Sequence, residues 1–301
     1  MNITPHTPSV RAQLVARRTY QRPLNVEGTV FETWEQTTDR VISHQRWLWE
    51  RALGDGAKLN AEQEAELASL RYLIVNRAAF LSGRTMWLGG TEVSRKREAS
   101  MTNCSFLRVE TVYDVVDAFW LLLQGAGVGF EPVIGSLNGF ARPLTIETIR
   151  SARTLNDGRV GREHNLESVR DGIWTISIGD SAEAWAKSIG KILAGKEKAH
   201  TLVIDFSEIR AAGSRLGGYG WISSGDGPLH EAVLKIANLL NKRTDRLLTK
   251  IDILDLMNLL GTTLSSRRSA QIALMPAGDV EADEFAMAKK DCFTNGLHHR
   301  G

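Results

Sequence analysis

Cysteine is nearly absent from this chain: Cys104 and Cys292 are the only two in 301 residues. That excludes a disulfide-stapled scaffold and fits a reducing, cytoplasmic compartment. Charge of one sign is not in excess either. Lys and Arg number 37 against 35 Asp and Glu, a net charge of +2. No strong field draws such a chain to nucleic acid or to a membrane surface. Long apolar runs are missing. The longest, AFWLLL at 118–123, falls far short of the ~20 residues that span a bilayer. The opening residues, MNITPHTPSVRAQ, lack the apolar core of a signal peptide. There is no internal repeat, no HExxH, no paired CxxC, no GxxxxGK[ST] and no GxSxG. No metal site is expected. His298 and His299 read as a solvated end, and Cys292 has no ligand partner at useful spacing.

What is there suits a globular protein with a real core: 43% hydrophobic and 24% charged residues. The length allows one large domain or two ordinary ones. Prolines at 5, 8 and 23 argue for an irregular arm over 1–28. A helix is expected from Thr33 to the Gly54–Gly56 stop, and another from Asn60, with Gln63 completing a capping box. Thr111 opens a further helix that ends at GAGVGF, 125–130. Those glycines follow a helix and precede a strand expected over 130–134, the reverse of the dinucleotide-binding order. A tight turn with close backbone packing is the better reading. Residues 135–172 are rich in turn signals and carry Arg150, Arg153, Arg159 and Arg162. They are either a solvated face or a phosphate pocket, since arginine forks match phosphate oxygens. Helices are expected from Ser181, Pro228 and Thr249, and buried strands over 201–206 and 271–275. Strands separated by helices imply an α/β fold with parallel pairing.

The stretch SGRTMWLGGTEVSRKREASMTNCSF, 82–106, has a different texture. Gly89-Gly90-Thr91 lets backbone come close to a ligand. Five charged residues lie from Glu92 to Glu98, and Cys104 follows them. Local sequence leaves two readings of Cys104. It is a core cysteine opening the strand CSFLRV, or a thiolate fitted for redox chemistry.

Five segments in order, SGRTMWLGGT, TNC, GAGVGF, IRAAGSRLGGYG…SSGDGPL and RRSAQIAL, resemble the ribonucleotide reductases. The resemblance runs from about residue 18 to 301 and is nearest to the monomeric, adenosylcobalamin-dependent class II enzymes. About seventy residues separate the GxGxG strand from IRAAGS, similar to the insert by which that class builds its own effector site. The resemblance implies a helical N-terminal region over 1–80. The first half of a ten-stranded α/β barrel would follow over 81–301, with the insert at about 135–207. It implies reduction of ribonucleoside triphosphates to 2′-deoxyribonucleoside triphosphates by a thiyl-radical mechanism, for DNA synthesis. Cys104 resembles the first cysteine of the redox pair. Gly90, Thr91 and Asn103 resemble the substrate neighbourhood. Val112, Tyr113 and Asp114, with Arg159 and Arg162 of the insert, would meet a deoxynucleoside triphosphate effector. Ser265, Ser266, Arg267, Arg268 and Ser269 resemble the loop between effector and substrate.

Two departures qualify this. Serines at 265 and 266 stand where the family usually has glycine, which stiffens the loop. The radical cysteine, its glutamate, the second redox cysteine and most of the cobalamin site belong to segments beyond HHRG. The expectation is therefore a fragment that works with a complementary C-terminal part and a thioredoxin-like reductant. The alternatives are a non-catalytic nucleotide-binding regulatory fragment and a dimeric-class reductase, the latter disfavoured by the insert.

Overall fold

The computed structural model describes residues 7–25, 27–54, 56–155, 157–216, 219, 221–264 and 271–301. They form two compact units, which divide between Asn103 and Cys104, with Tyr219 in the first unit. The division lies beyond the 80/81 boundary that the resemblance implies. The helices that follow residue 81 stay with the first unit because Met86 joins its core, with Val41 and Ile74.

The first unit is helical. It comprises α1 (Val10–Val15), a π-helical turn (Ala16–Tyr20), α2 (Trp34–Leu53), α3 (Ala61–Val75), α4 (Gly83–Leu88), α5 (Glu92–Lys96) and a 3-10 turn (Glu98–Met101). Thr33 and Asn60 cap α2 and α3, each in a reciprocal capping box with a glutamine three residues on. The arm is less irregular than its prolines suggest. Pro8 and Pro23 flank the helical run without interrupting it, and the Ser9 hydroxyl accepts from the Ala12 N–H at its start.

The second unit runs β1 (Cys104–Val109), α6 (Val112–Leu123), β2 (Gly127–Pro132), β3 (Thr145–Ile149), β4 (Leu166–Arg170), β5 (Ile173–Ser177) and α7 (Ala182–Ala194). It continues with β6 (Thr201–Asp205), β7 (Arg215–Leu216), β8 (Trp221–Ile222), α8 (Gly227–Lys242), α9 (Lys250–Gly261), β9 (Gln271–Ala273) and α10 (Ala282–Ala286). A 3-10 turn (His298–Arg300) follows. Among the described residues the strands form three sheets: β1-β2-β9, β3-β6-β5-β4, and the hairpin β7-β8. Pairing is parallel except for β4–β5 and β7–β8. This is the expected mixed α/β architecture.

One core joins both larger sheets to α6, α7, α8 and α9, with Phe119, Phe130, Trp174, Ile204 and Leu256 fully buried. Leu107, Val109, Val128 and Phe130 supply the core face of the first sheet. Side chains alternate faces along a strand. The opposite face of that sheet therefore carries Cys104, Phe106, Gly127, Gly129 and Ile272, with Arg108 and Glu131 at its far end. In the insert sheet Trp174, Ile176, Leu202 and Ile204 face the core. Glu147, Thr175, Ser177 and Asp205 lie on its other face with Ile149, Ile173 and Val203, as the register requires.

Three expectations need correction. The glycine-rich turn is partly strand: β2 begins at Gly127, not at residue 130, and only Gly125 of the three has positive φ, 83°. A Cβ on Gly129 would come within 2.8 Å of the Phe106 ring, so this glycine makes room for that ring. The turn-rich stretch 135–172 contains β3 and β4. Both are short and largely exposed, so they carry little apolar signal. The C-terminal histidines are not both solvated. His299 Nε2 bonds Asp255 of α9 at 3.0 Å, and its Nδ1 is buried.

Candidate functional site

Cys104 opens the edge strand β1 and is exposed, while Cys292 is buried; both are thiols. The core reading of Cys104 is thus excluded. Its register partner is Gly127, which adds no side chain beside the thiol. One step along, Phe106, Gly129 and Ile272 form the next row. Phe106 is 54% exposed and Ile272 66%. A parallel sheet normally buries both faces; this one leaves an apolar, glycine-floored face open around a thiol.

Gly90 and Thr91 belong to the first unit. Gly90 has φ of 78°, and a Cβ there would lie 2.4 Å from the Arg40 carbonyl. Its close approach is thus to the protein's own α2. Arg40 is the keystone of this region. Its guanidinium donates to the Gly89 carbonyl, to those of Tyr20 at 3.1 Å and Met86 at 3.3 Å, and to Glu32 at 2.8 Å. The Thr91 hydroxyl donates to the Leu88 carbonyl at 2.6 Å and caps α5. Asn103, beside Cys104 in the chain, is exposed.

A second feature lies in the second unit, at the start of α6. A cleft of about 790 Å³ is lined by Thr111, Val112 and Tyr113 on one side and by Lys187, Lys191 and Lys196 on the other. Tyr113 is 81% exposed. The cleft exists because α6 and α7 pack closely at Gly190, where a Cβ would meet Val116 Cγ2 at 2.7 Å. Asp114 is committed to its own helix: its carboxylate accepts from the Thr111 N–H at 2.8 Å and the Thr111 hydroxyl at 2.7 Å. Sequence reasoning missed the lysines. Lys187 and Lys191 at i, i+4 were visible as one helix face, but nothing local says what that face meets.

The insert arginines do not line the cleft. Arg153 is nearly buried and donates to Asp157 and to the Glu208 carbonyl. The Arg153 bonds to Asp157, with the Arg159 backbone N–H at 2.9 Å, hold the Asp157 carboxyl down to about 2. Arg150 bonds Asp226 at 2.5 Å. Arg162 bonds the His164 and Ser177 carbonyls at 2.6 and 3.0 Å. Arg159 is 61% exposed, with Asp157 at 3.5 Å. Ser265, Ser266, Arg267, Arg268 and Ser269 lie outside the described residues.

Comparison with known proteins gives a consistent answer. Residues 1–91 match the ribonucleotide reductase alpha domain, and residues 147–240 match the insertion domain of B12-dependent ribonucleotide reductase. The adenosylcobalamin-dependent ribonucleoside-triphosphate reductases of Lactobacillus gasseri and Levilactobacillus brevis are each 28% identical. Both alignments cover 99% of this chain, and 45% and 44% of those proteins. A crystal structure of a B12-dependent (class II) ribonucleotide reductase superposes with a TM-score of 0.77 at 26% identity. It covers 96% of this chain and 44% of that one. The chain thus spans less than half the length of the curated relatives it matches. In sequence and in fold it corresponds to the N-terminal portion of the B12-dependent, class II ribonucleotide reductases.

Proposed function

We propose that this chain is the N-terminal portion of an adenosylcobalamin-dependent enzyme that reduces ribonucleoside triphosphates to 2′-deoxyribonucleoside triphosphates. The observation that carries the reading is Cys104, an exposed thiol on an apolar sheet face that is open. A complementary C-terminal part covers that face, completes the barrel, and brings the radical cysteine and the second redox cysteine. Replacing the 2′-hydroxyl by hydrogen breaks a C–O bond, forms a C–H bond and releases water. It takes two electrons and two protons. Cys104 and its partner thiol supply both by closing one S–S bond, which a thioredoxin-like dithiol then reopens. Gly90, Thr91 and Asn103 border the substrate, with Arg40 fixing the Gly89–Gly90 turn.

The lysine-lined cleft takes the effector, a deoxynucleoside triphosphate. Charge-assisted bonds to phosphate are the strong ones, and the α6 N-terminus adds its dipole. Val112 and Tyr113 wall the cleft, and Asp114 holds the helix start in place. Arg162 stiffens the insert, and Arg159 stays open to a ligand. By the resemblance, Ser265, Ser266, Arg267, Arg268 and Ser269 would relay effector identity to the substrate site.

Most of the adenosylcobalamin site is assigned to the C-terminal part; among the described residues no group of three or more His, Cys, Asp or Glu is set to hold a metal ion. No described helix is long and apolar enough to cross a membrane.

The test is reconstitution. The purified chain with ribonucleoside triphosphate, dithiol and adenosylcobalamin gives no turnover, and the complemented protein does. Turnover by the chain alone overturns the reading. Effector binding without turnover after complementation would put a regulatory, non-catalytic role in its place.

A further inference from the structure

The three lysines of the cleft are not equivalent. Lys187 and Lys196 have no ion-pair or hydrogen-bond partner among the described residues. Lys191 does: its ammonium is bonded to Glu167 Oε2, on the edge strand β4. Glu167 itself is anchored twice. Its Oε1 accepts the Trp174 indole N–H at 2.9 Å, and Trp174 is only 1% exposed. The register pairs Glu167 with Ile176, and both lie on the core-facing side of the sheet, where α7 packs. An edge-strand charge turned inward in this way also guards the edge against stray pairing.

These anchors differ in how readily they let go. If Glu167 swung out, a buried indole N–H would lose its acceptor, a desolvation cost with no return. Lys191 is on a long flexible stem, 46% exposed, and already borders the cleft. Of the pair, Lys191 is the partner that moves.

We propose that Lys191 is a shared cation. It is held by Glu167 while the cleft is empty and is handed to a polyphosphate when the cleft fills, so that occupancy is coupled through Glu167 and Trp174 to the β4–β5 hairpin. This rests on the reading of the cleft as a triphosphate site. It adds a cost and a signal to binding there. Breaking the Lys191–Glu167 pair weakens the ligand's grip. In exchange the hairpin loses one of the two groups that pin Glu167, and its strands open more readily.

The experiment uses the full 301-residue chain with inorganic tripolyphosphate and a deoxynucleoside triphosphate as probes. Calorimetric titration at fixed ionic strength compares the parent with Lys187→Gln, Lys191→Gln, Glu167→Gln and the Glu167→Gln/Lys191→Gln double variant. Lys187→Gln and Lys191→Gln each weaken binding, about tenfold for one charge-assisted contact. Glu167→Gln tightens it, by about three- to tenfold, because Lys191 no longer leaves a partner. In the Lys191→Gln background the same substitution does nothing. Amide exchange over residues 166–177 rises on ligand addition in the parent and is already raised in Glu167→Gln. Two outcomes overturn the shared cation while leaving the cleft intact. In one, Glu167→Gln is neutral or weakening although Lys187→Gln weakens. In the other, the tightening persists without Lys191, which makes it a long-range field effect. If neither probe binds the parent, the cleft reading falls and this inference falls with it.

Discussion

The two larger sheets of the second unit bury one face each against the same core, and they differ in the other. The insert sheet turns Glu147, Thr175, Ser177 and Asp205 outward among Ile149, Ile173, Val203 and Leu166, so polar and alkyl side chains are interleaved on its outer face. The sheet β1-β2-β9 turns out Phe106, Ile272 and two glycines around Cys104, with only the Arg108–Glu131 pair at 3.4 Å to make it polar. Parallel strands with two apolar faces are built to be covered twice. The insert sheet breaks up its exposed alkyl groups with polar ones; under the proposed function the thiol-bearing sheet is one side of an interface. Under the proposed function the two regions have different work: the cleft between α6 and α7 senses the effector, and the thiol-bearing sheet, once covered, serves reduction.

The sharpest way to break that contrast is Cys104→Ser in the complemented protein. Turnover with an external dithiol should fall to background, while effector binding and melting temperature hold. Cys292→Ser should retain turnover, because Cys292 is buried in packing, and cost only stability. A fully active Cys104→Ser protein ends the redox assignment.

Next in size is a charge placed on each outer face. Ile272→Glu should weaken assembly with the C-terminal part on the order of 100-fold, because closure would bury an unpaired carboxylate. Thr175→Glu should leave assembly alone. Neither should move the melting temperature of the isolated chain much, since both sites face solvent there. Equal effects of the two on assembly would erase the distinction between the sheets.

Gly190 sharpens the insert side of the comparison. Gly190→Ala forces a methyl against Val116 and should destabilise the chain by about 1–3 kcal/mol, with loss of effector affinity as α6 and α7 part. Adding Val116→Ala should recover part of both. Chemical denaturation beside calorimetry reads it; no recovery in the double variant would place the strain elsewhere.

The smallest effect is a pH response at the C-terminal turn. Burial raises the Asp255 carboxyl, but hydrogen bonds from His299 and from Arg300, the latter at 2.5 Å, outweigh it and hold it below the ordinary carboxylate range. The folded value lies below the unfolded one. The contribution is therefore full above about pH 4 and fades as pH falls through the folded value. Amide exchange at 298–301 should rise there, and in an Asp255→Asn chain it should be high and flat with pH. Acid release that persists in that chain would belong to another group.

Much of this was legible because it is local. Thr33, Asn60, Thr111 and Thr249 announce their helices through partners three residues away. The exposure of Cys104 was not legible locally, because CSFLRV reads equally as a core strand, and only the fold shows its thiol exposed at the start of β1. Nor were the arginines. Arg150 finds Asp226 and Arg153 finds Glu208, partners that only the fold brings near, so a cluster rich in guanidinium turned out to be largely spent on internal bonds. The lysines show the converse. Their helix face was plain, but its target depends on the close approach at Gly190.

Arg40 carries a practical consequence. One cation ties the carbonyls of Tyr20, Met86 and Gly89 to the Glu32 carboxylate, so residues from the arm, from α2 and from the Gly-Gly turn share a single fastening. Trimming the chain to begin at α2 would remove Tyr20 and Glu32 together and leave a guanidinium, only 13% exposed, without its counter-charge. Dissection of this protein should therefore keep the arm, because the shape of the turn at Gly90 is set by residues that precede it by more than fifty positions.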